Sequence, residues 1–345
     1  MGNMKVWQNL PLKDHSTMGL GGTADAAAEV ASRQDVSEAV NWAEQHKLPI
    51  IMVGDGSNLV WRDEGFRGLL LINKIMGYTP FDEDDENYYV TVGSGENWDQ
   101  VVDRSVKAGT SGIECLSLIP GTAGATPIQN VGAYGQEVAD VIVGVEAYDA
   151  QTKQFVTIPA SECGFGYRTS RFKTTDHGRF YITGLSLHLM KLKPAPPFYA
   201  ALQTYLDEHQ ISDYTPQVLR DAVMAIRKSK LPDPKLVHNN GSFFSNPIIE
   251  HSQLLQLEND FTGIVYWPVD GDKAKLSAAW LVEQAGFKDF HDPETGMGTW
   301  PQQALVVVNE HAKSTADLMK FKQKIIDAVH QKFGVTLEQE PELLP

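Results

Sequence analysis

The spacing of apolar side chains alternates along the chain between a helical and an extended pattern. Apolar residues three and four positions apart predict a helix that begins at 35 and further helices at 98–109, 215–230 and 314–334. Asp35 with Glu38 predicts the first helix start, and Gly109 and Gly334 predict two helix ends. Short apolar runs predict strands at 48–53, 66–72, 88–93, 141–150, 153–159, 179–190 and 335–340. The mixture predicts an α+β fold.

Prolines concentrated in LKPAPPFYA, at 192–200, interrupt this pattern. Proline fixes φ and removes a backbone donor, so we interpret the run as a domain boundary. The chain has 345 residues, which is more than one hydrophobic core normally holds. We therefore expect two or three domains.

The charge balance narrows the classes of partner. Lys and Arg number 29 against 44 for Asp and Glu, which gives a formal net charge of −15. Nucleic acid needs a basic face, whereas an anionic small molecule needs only a few local cations or amides. No apolar run predicts a membrane span or a signal peptide. Cys115 and Cys163 lack CxxC or Cys/His spacing, which predicts a reduced cytosolic protein without a metal site.

Three stretches place glycines after predicted strands: GDGSN at 54–58, GSGEN at 93–97 and IPGTAGATPIQNVGAYG at 119–135. Glycines let backbone N–H groups approach phosphate oxygens closely. The second stretch fails as a Rossmann fingerprint because the bulky Trp98 stands where a glycine is required. The chain also lacks GxxxxGK[ST], which excludes a P-loop. The third stretch is long and uncharged, so we favour a cofactor pyrophosphate cradle over a structural loop.

The stretch LVHNNGSFFSNP, at 236–247, matches neither a helix nor a full strand. It places a lone hydroxyl, Ser242, between Gly241 and two phenylalanines. Taken alone, these residues describe a turn serine that bonds its own backbone. A tight backbone with apolar walls also suits a reactive hydroxyl in a dry site.

Taken in order, GDGSN, GSGENW, IPGTAGATPIQNVGAYG, FGYR (165–168), GSFFSNP and the terminal LEQE resemble the UDP-N-acetylenolpyruvoylglucosamine reductases. These are flavoenzymes of peptidoglycan precursor synthesis, and the resemblance covers nearly the whole chain. It implies a vanillyl-alcohol-oxidase/PCMH-type FAD-binding fold in two subdomains, 1–73 and 74–195. An α+β substrate-binding domain, 196–345, would follow, with its last strand carrying Glu340 back to the active site. The resemblance is to the longer type, in which a tyrosine loop folds over the substrate.

The resemblance also implies a reaction and assigns roles to residues of this chain. NADPH and non-covalent FAD would reduce the enolpyruvyl ether of UDP-N-acetylglucosamine-enolpyruvate to UDP-N-acetylmuramate. Ser242 would donate the proton, Arg168 would steady the developing negative charge, and Glu340 would complete the catalytic set. The implied FAD contacts are Gly54, Gly56, Ser57, Asn58, Gly121, Thr122, Gln129, Asn130, Gly132, Ala133 and Tyr134. The implied substrate contacts are Tyr199, Lys230, Asn246, Trp267, Lys275 and Gln303.

Several positions depart from the family pattern. Asn240 stands where alanine is usual, Ser245 where lysine is common, and Pro341 where valine is usual; Trp300-Pro301 replaces the start of a His-x-Gln-Gln stretch. These departures bear on the substrate-phosphate contacts and on the register of Glu340.

Two other functions stay open. One is a PCMH-type oxidase that reoxidises FAD with O₂, although neither main glycine loop contains a histidine to tether the flavin. The other is a non-catalytic flavin-binding protein. The presence of Ser242, Arg168 and Glu340 argues against this second alternative. We expect a monomer whose partners are the UDP-sugar and NADPH, with no nucleic acid and no membrane insertion.

Overall fold

The structure is a computed structural model that describes residues 5–269 and 271–345. Its strands are β1 (Val6–Pro11), β2 (Thr23–Val30), β3 (Ile50–Val53), β4 (Leu59–Trp61), β5 (Phe66–Asn73), β6 (Tyr78–Glu83), β7 (Asn87–Gly93), β8 (Gly132–Ala133), β9 (Gln136–Glu137), β10 (Ile142–Asp149), β11 (Gln154–Pro159), β12 (Phe180–Met190), β13 (His238–Ser242), β14 (Ile248–Glu250), β15 (Tyr266–Val269), β16 (Lys273–Leu276), β17 (His291–Asp292), β18 (Met297–Trp300), β19 (Gln303–Asn309) and β20 (Glu342–Leu344). Its α-helices are α1 (Arg33–His46), α2 (Trp98–Lys107), α3 (Ala200–Glu208), α4 (Pro216–Lys230), α5 (His251–Asp260), α6 (Ala278–Gln284) and α7 (Thr315–Phe333). Within the described ranges, none of these helices is both long and apolar enough to cross a membrane.

The chain forms two compact units that interleave along the sequence. The first unit comprises Met1–Leu10, Ala24–Asp55 and Phe66–Lys228. The second unit comprises Pro11–Thr23, Gly56–Gly65 and Ser229–Pro345. The division into 1–73, 74–195 and 196–345 stays a prediction, and its residues 1–4 lie outside the described part of the chain.

The first unit contains two main sheets. In the sheet β1-β2-β5-β3, β5 pairs in parallel with both β2 and β3, and the apolar side of α1 packs in the same core. The second sheet, β11-β10-β12-β7-β6, is antiparallel. Leu185, Leu187 and Leu189 of β12 are fully buried, as their period of two predicts. Because β7 pairs antiparallel with its neighbours, GSGEN does not belong to a parallel βαβ unit, which confirms the rejection of a Rossmann fold.

The second unit is built around α7 and the antiparallel sheet β13-β19-β18-β17. Leu318, Phe321 and Ile325 of α7 are fully buried in its core. The Ser314 side chain accepts a hydrogen bond from the backbone of α7, and Gly334 ends the helix with φ of 65°, as predicted. A second sheet, β14-β16-β15, and the parallel pair β20-β4 complete the unit.

The predicted start of α1 at Asp35 is wrong. The helix begins at Arg33, and Ser32 is its N-cap, because the Ser32 hydroxyl accepts a hydrogen bond from Asp35 N at 3.1 Å. The Asp35 carboxylate in turn accepts from Ala31 N at 2.9 Å. Both serine and aspartate are good caps, so the sequence alone left a choice between Ser32 and Asp35.

Two predictions about extended segments are also wrong. Residues 335–340 form no strand; Gln339 makes only an isolated bridge to Phe244, and the terminal strand is β20. Residues 238–242 do form a strand, β13, within the stretch 236–247 that matched no element. In both cases the pairing partner, and not the local sequence, decides whether an extended segment joins a sheet.

Candidate active site

The GDGSN loop follows β3, and close approaches explain its glycines. In the first unit, a Cβ on Gly54 would overlap the Thr122 hydroxyl, so only glycine lets the loop approach the 119–135 segment this closely. In the second unit, Gly56 has φ of 70°, and a Cβ there would collide with the His15 carbonyl. The loop therefore presents main chain and not side chain at Gly54 and Gly56.

The two polar residues after these glycines are held in place through their backbone carbonyls, which accept hydrogen bonds. Asn58 O accepts a hydrogen bond from Glu342 N at 3.0 Å, and Ser57 O accepts from the Asn240 carboxamide at 3.2 Å. The end of the loop is thereby fixed to both β20 and β13 within the second unit.

The 119–135 segment is fixed mainly by its own backbone and by the residues before α2. Ala123 N donates to Glu96 O at 2.8 Å, and Gly124 N donates to Ser94 O at 2.9 Å. Gly121 has φ of 119°, which excludes most other residues, and the neighbouring Thr122 is buried. These hydrogen bonds tie the start of the predicted cofactor segment to the residues before α2.

Asn130 shapes this segment through its side chain. It lies in the left-handed region with φ of 48°. Its Nδ2 donates to Glu137 Oε2 at 2.7 Å and to Gly166 O at 3.1 Å, while Oδ1 accepts from Ala139 N at 3.1 Å. Because the carboxamide is occupied by the protein, a cofactor contact of Asn130 would have to come from its backbone.

A partly buried ion pair anchors the start of the same segment. Arg220 of α4 donates to Asp99 Oδ1 at 2.7 Å and to the Ser117 hydroxyl at 2.8 Å, and Leu118 N donates to Asp99 at 2.6 Å. Burial alone would raise the pKa of Asp99, but the Arg220 and Leu118 hydrogen bonds outweigh it and hold that pKa below its usual value. The carboxylate is therefore charged and links α2, α4 and the segment.

Arg168 lies against the far end of the segment. Its Nη2 donates to Gly132 O at 2.8 Å, and a Cβ on Gly132 would lie 3.2 Å from Arg168 Nη1. Arg168 itself has φ of 53°, a strained conformation for a residue with a side chain. The predicted charge-stabilising guanidinium thus contacts the predicted cofactor segment directly.

Arg227 is a site residue that the sequence did not single out. Its position at the end of α4 predicts a solvated cation at a helix terminus, yet its guanidinium is buried, which lowers its pKa. It lies close to the hydroxyl of Tyr134, whose own pKa is raised by burial. The ring of Tyr134 meets Tyr199 edge to face at 5.9 Å between centroids. No local pattern could reveal this, because Arg227 and Tyr134 meet only in the folded chain.

Tyr134 and Tyr199 line a cavity of ≈ 300 Å³ in the first unit, together with Glu114 and Gln136. The Glu114 carboxylate accepts hydrogen bonds from Gly112 N at 2.6 Å and Gln136 Nε2 at 2.9 Å. Its burial raises its pKa despite these bonds. Tyr199, the residue expected to reach the substrate, is 41% exposed at the start of α3.

Ser242 is presented by a β-bulge. Asn239 pairs with Val308 and Ser242 with Val306, so β13 holds one residue more than β19 over this stretch. Gly241 has φ of 69°, which the bulge requires. Ser242 is exposed, and no described residue hydrogen-bonds its hydroxyl, whereas Phe243 and Phe244 are buried in the core. The two phenylalanine rings anchor the strand in the core, so they are not the apolar walls of an open site.

Glu340 lies beside this strand. Its backbone N–H donates to Phe243 O at 2.9 Å, and Ser245 N donates to Glu338 O at 3.0 Å. The segment of Glu340 therefore runs beside residues 243–245, which directly follow β13, although it is not a strand. The fold brings Ser242 and Glu340 to one edge of the second unit.

The predicted substrate residues of the second unit form separate groups. Trp267 and Lys275 pair across β15 and β16, with the Lys275 ammonium 5.9 Å from the indole centroid. Asn246 Oδ1 accepts from Ala278 N at 2.9 Å. Gln303 begins β19, and Lys230 is exposed as the last residue of α4.

Comparison with known proteins places the chain in a family. The sequence pattern of FAD binding domains matches residues 24–157, and that of the UDP-N-acetylenolpyruvoylglucosamine reductase C-terminal domain matches residues 233–344. A UDP-N-acetylenolpyruvoylglucosamine reductase of Ralstonia nicotianae is 39% identical, over 96% of this chain and 97% of that protein. One of Pseudomonas putida is 36% identical, over 98% of both chains. This chain belongs to the UDP-N-acetylenolpyruvoylglucosamine reductase family.

Structural comparison identifies the fold. The crystal structure of the UDP-N-acetylenolpyruvylglucosamine reductase of Thermus caldophilus aligns with a TM-score of 0.67 at 23% identity, over 99% of this chain and 100% of that chain. The α+β fold class, with a PCMH-type FAD-binding part and a C-terminal reductase domain, is therefore confirmed.

The residues present fit the FAD of this reductase family. Gly54, Gly56 and Gly121 stand where a side chain would collide with the protein or adopt a strained φ, so no side chain of these three residues covers the main chain. The 119–135 segment carries no charged side chain, and backbone amides suit the diphosphate of a dinucleotide in a protein of net charge −15.

Proposed function

We propose that this protein reduces the enolpyruvyl ether of UDP-N-acetylglucosamine-enolpyruvate to UDP-N-acetylmuramate, in peptidoglycan precursor synthesis. NADPH is the electron donor and non-covalent FAD the cofactor, and the protein acts in the cytoplasm as a monomer. Family membership over nearly the whole chain supports the substrate class. When bound, FAD supplies the hydride chemistry between NADPH and the substrate.

The observation that carries the catalytic assignment is the state of the Ser242 hydroxyl. A structural turn serine would bond its own backbone, but no described residue hydrogen-bonds this one, and the bulge exposes it. After hydride addition the substrate carries a strongly basic carbon beside its carboxylate. A serine hydroxyl can donate to so strong a base, although it is a weak acid in water.

Arg168 and Glu340 have complementary roles in this proposal. A guanidinium stays charged and can bind a carboxylate with two parallel hydrogen bonds, so Arg168 steadies the negative charge that develops on the substrate. Glu340, whose backbone is tied to Phe243, assists the proton transfer at the same strand edge as Ser242. Tyr199, Lys230, Asn246, Trp267, Lys275 and Gln303 bind the nucleotide sugar.

The residues proposed to hold FAD are Gly54, Gly56, Ser57, Asn58, Gly121, Thr122, Gln129, Asn130, Gly132, Ala133 and Tyr134. The glycines and the neighbouring amides take the diphosphate, for the steric reasons given above. The side chains of Ser57, Asn58, Thr122 and Gln129 orient the rest of the cofactor, and Asn130 contributes through its backbone.

Ser242→Ala tests the proposal under anaerobic conditions. We expect NADPH to bleach the flavin at the wild-type rate, while the enolpyruvyl nucleotide restores the yellow colour about 10²- to 10⁴-fold more slowly, since a general acid is lost. Ser252→Ala, at an exposed serine of α5, is the matched control and should behave as wild type. Product formation at the wild-type rate by Ser242→Ala would refute the proton-donor role. If the flavin of the wild-type protein regains its colour only when air is admitted, an oxidase function would be favoured instead.

A further inference from the structure

Arg168 lies at a backbone position that glycine normally fills. Gly166 N donates to Thr169 O at 3.1 Å and Thr169 N donates to Gly166 O at 3.2 Å, which closes a tight turn around Tyr167 and Arg168. Arg168, the third residue of this turn, has φ of 53°. Turns with a positive φ at that position usually carry glycine or asparagine there, because other residues are strained. The arginine therefore occupies its place at a conformational cost, which the surrounding contacts must offset.

Two buried side chains tie this turn to the predicted cofactor segment, 119–135. Asn130 Nδ2 donates to Gly166 O, the first carbonyl of the turn, at 3.1 Å. Ser170 Oγ, directly after the turn, donates to Ile128 O at 2.6 Å. Both Asn130 and Ser170 are only 1% exposed. The turn is therefore fastened to the segment at both of its ends.

Local backbone requirements account for only part of these contacts. Asparagine tolerates the left-handed φ of 48° at Asn130, and the Ser170 hydroxyl also accepts a hydrogen bond within its own loop. The bonds to Gly166 and Ile128, however, join residues that are 36 and 42 positions apart in the chain. Their effect is to hold two separate segments of the first unit together.

The placement of the Arg168 guanidinium depends on this turn. Its Nη2 donates to Gly132 O at 2.8 Å, so the guanidinium lies against the cofactor segment. A guanidinium that binds a carboxylate with two parallel hydrogen bonds tolerates only small displacements. We propose that Ser170 and Asn130 are positioning residues that fix the Arg168 guanidinium relative to the cofactor segment. This inference rests on the proposed function, which gives Arg168 its charge-stabilising role.

The test is a double-mutant cycle between Ser170→Ala and Arg168→Met in the FAD-loaded enzyme. Each variant is reduced with NADPH without air, and stopped-flow absorbance follows reoxidation of its flavin by the enolpyruvyl nucleotide. Thermal unfolding and the Kd for FAD are measured alongside. Ser105→Ala is the matched control, because Ser105 is fully buried and donates to Val101 O at 2.9 Å within α2. Asn130→Gly, which keeps the left-handed φ but removes the carboxamide, serves if Ser170→Ala fails to fold.

We expect Ser170→Ala to slow reoxidation by about 10- to 10²-fold, the effect of displacing a catalytic group by about 1 Å. FAD affinity and reduction by NADPH should not change, because no carboxylate charge develops in those steps. In the Arg168→Met background, Ser170→Ala should slow reoxidation by less than about 2-fold, since a positioning residue acts only through the group that it positions. Ser105→Ala should reoxidise at the wild-type rate, and Asn130→Gly should behave as Ser170→Ala.

Two results would overturn the inference alone. One is a wild-type reoxidation rate in both Ser170→Ala and Asn130→Gly. The other is an equal loss of rate on Ser170→Ala with and without the Arg168 guanidinium, because a general structural role does not depend on that group. If the enolpyruvyl nucleotide does not reoxidise the reduced flavin of the wild-type enzyme, the proposed function is itself overturned, and the inference with it.

Discussion

Replacing Gly241 by alanine tests whether the bulge of β13 sets the aim of Ser242. Gly241 has φ of 69°, and a Cβ there would meet no atom within 4 Å. The substitution therefore adds backbone strain without a collision. Relief of that strain requires the peptide units on either side to turn, and one of them leads directly into Ser242.

The expected stability change is small. A non-glycine residue in the left-handed region costs about 1–2 kcal/mol. The stiffer unfolded chain of the variant offsets about 0.4–1 kcal/mol of this. We therefore expect a net loss of about 1 kcal/mol, or about 2–4 °C in Tm for a folding unit of this size.

Gly334→Ala is the matched control. Gly334 ends α7 with φ of 65° and also has no atom within 4 Å of an added Cβ, but it lies outside the candidate site. The two variants should lose the same stability. Only Gly241→Ala should slow the return of flavin colour by the enolpyruvyl nucleotide, by up to about 10²-fold if Ser242 shifts by about 1 Å.

Thermal unfolding and anaerobic stopped-flow absorbance measure the two effects separately. Equal stability losses with a wild-type reoxidation rate in Gly241→Ala would refute the idea that the bulge aims Ser242. A much larger stability loss in Gly241→Ala than in Gly334→Ala would contradict the open space around its Cβ.

Two further predictions concern the first unit. Arg220→Met leaves the Asp99 carboxylate without its cation and should cost about 1–3 kcal/mol at neutral pH, because Asp99 is only 26% exposed and keeps only the Leu118 hydrogen bond. The pKa of Asp99 is lower in the folded than in the unfolded protein. The ion pair therefore contributes its full stabilisation above the unfolded pKa, and this stabilisation is lost as the pH falls through the folded pKa. Urea unfolding should thus show a difference between wild type and Arg220→Met that shrinks in acid; a constant difference would contradict the charge argument. Burial raises the pKa of Cys163 to about 11 and raises that of Cys115 further, so neither thiol should react with iodoacetamide at pH 8 until the protein unfolds. Rapid alkylation of the native protein, detected by mass spectrometry, would contradict this prediction.

The sequence determined those features that depend on neighbours along the chain. Leucines spaced by two gave the buried face of β12, and Ser314 with Gly334 bounded α7. The ordered glycine motifs and GSFFSNP were enough to identify the family, because each motif sits at a turn or loop whose backbone only certain residues allow.

Tertiary structure decided the features that need a distant partner. The bulge that exposes Ser242 exists only because β13 pairs with β19, and residues 335–340 stay outside the sheet despite their apolar alternation. Arg227 reads as a helix-end cation but is buried against Tyr134. Local patterns encode which backbone shapes a segment prefers, whereas burial, pairing and unsatisfied polar atoms arise only when separate segments meet.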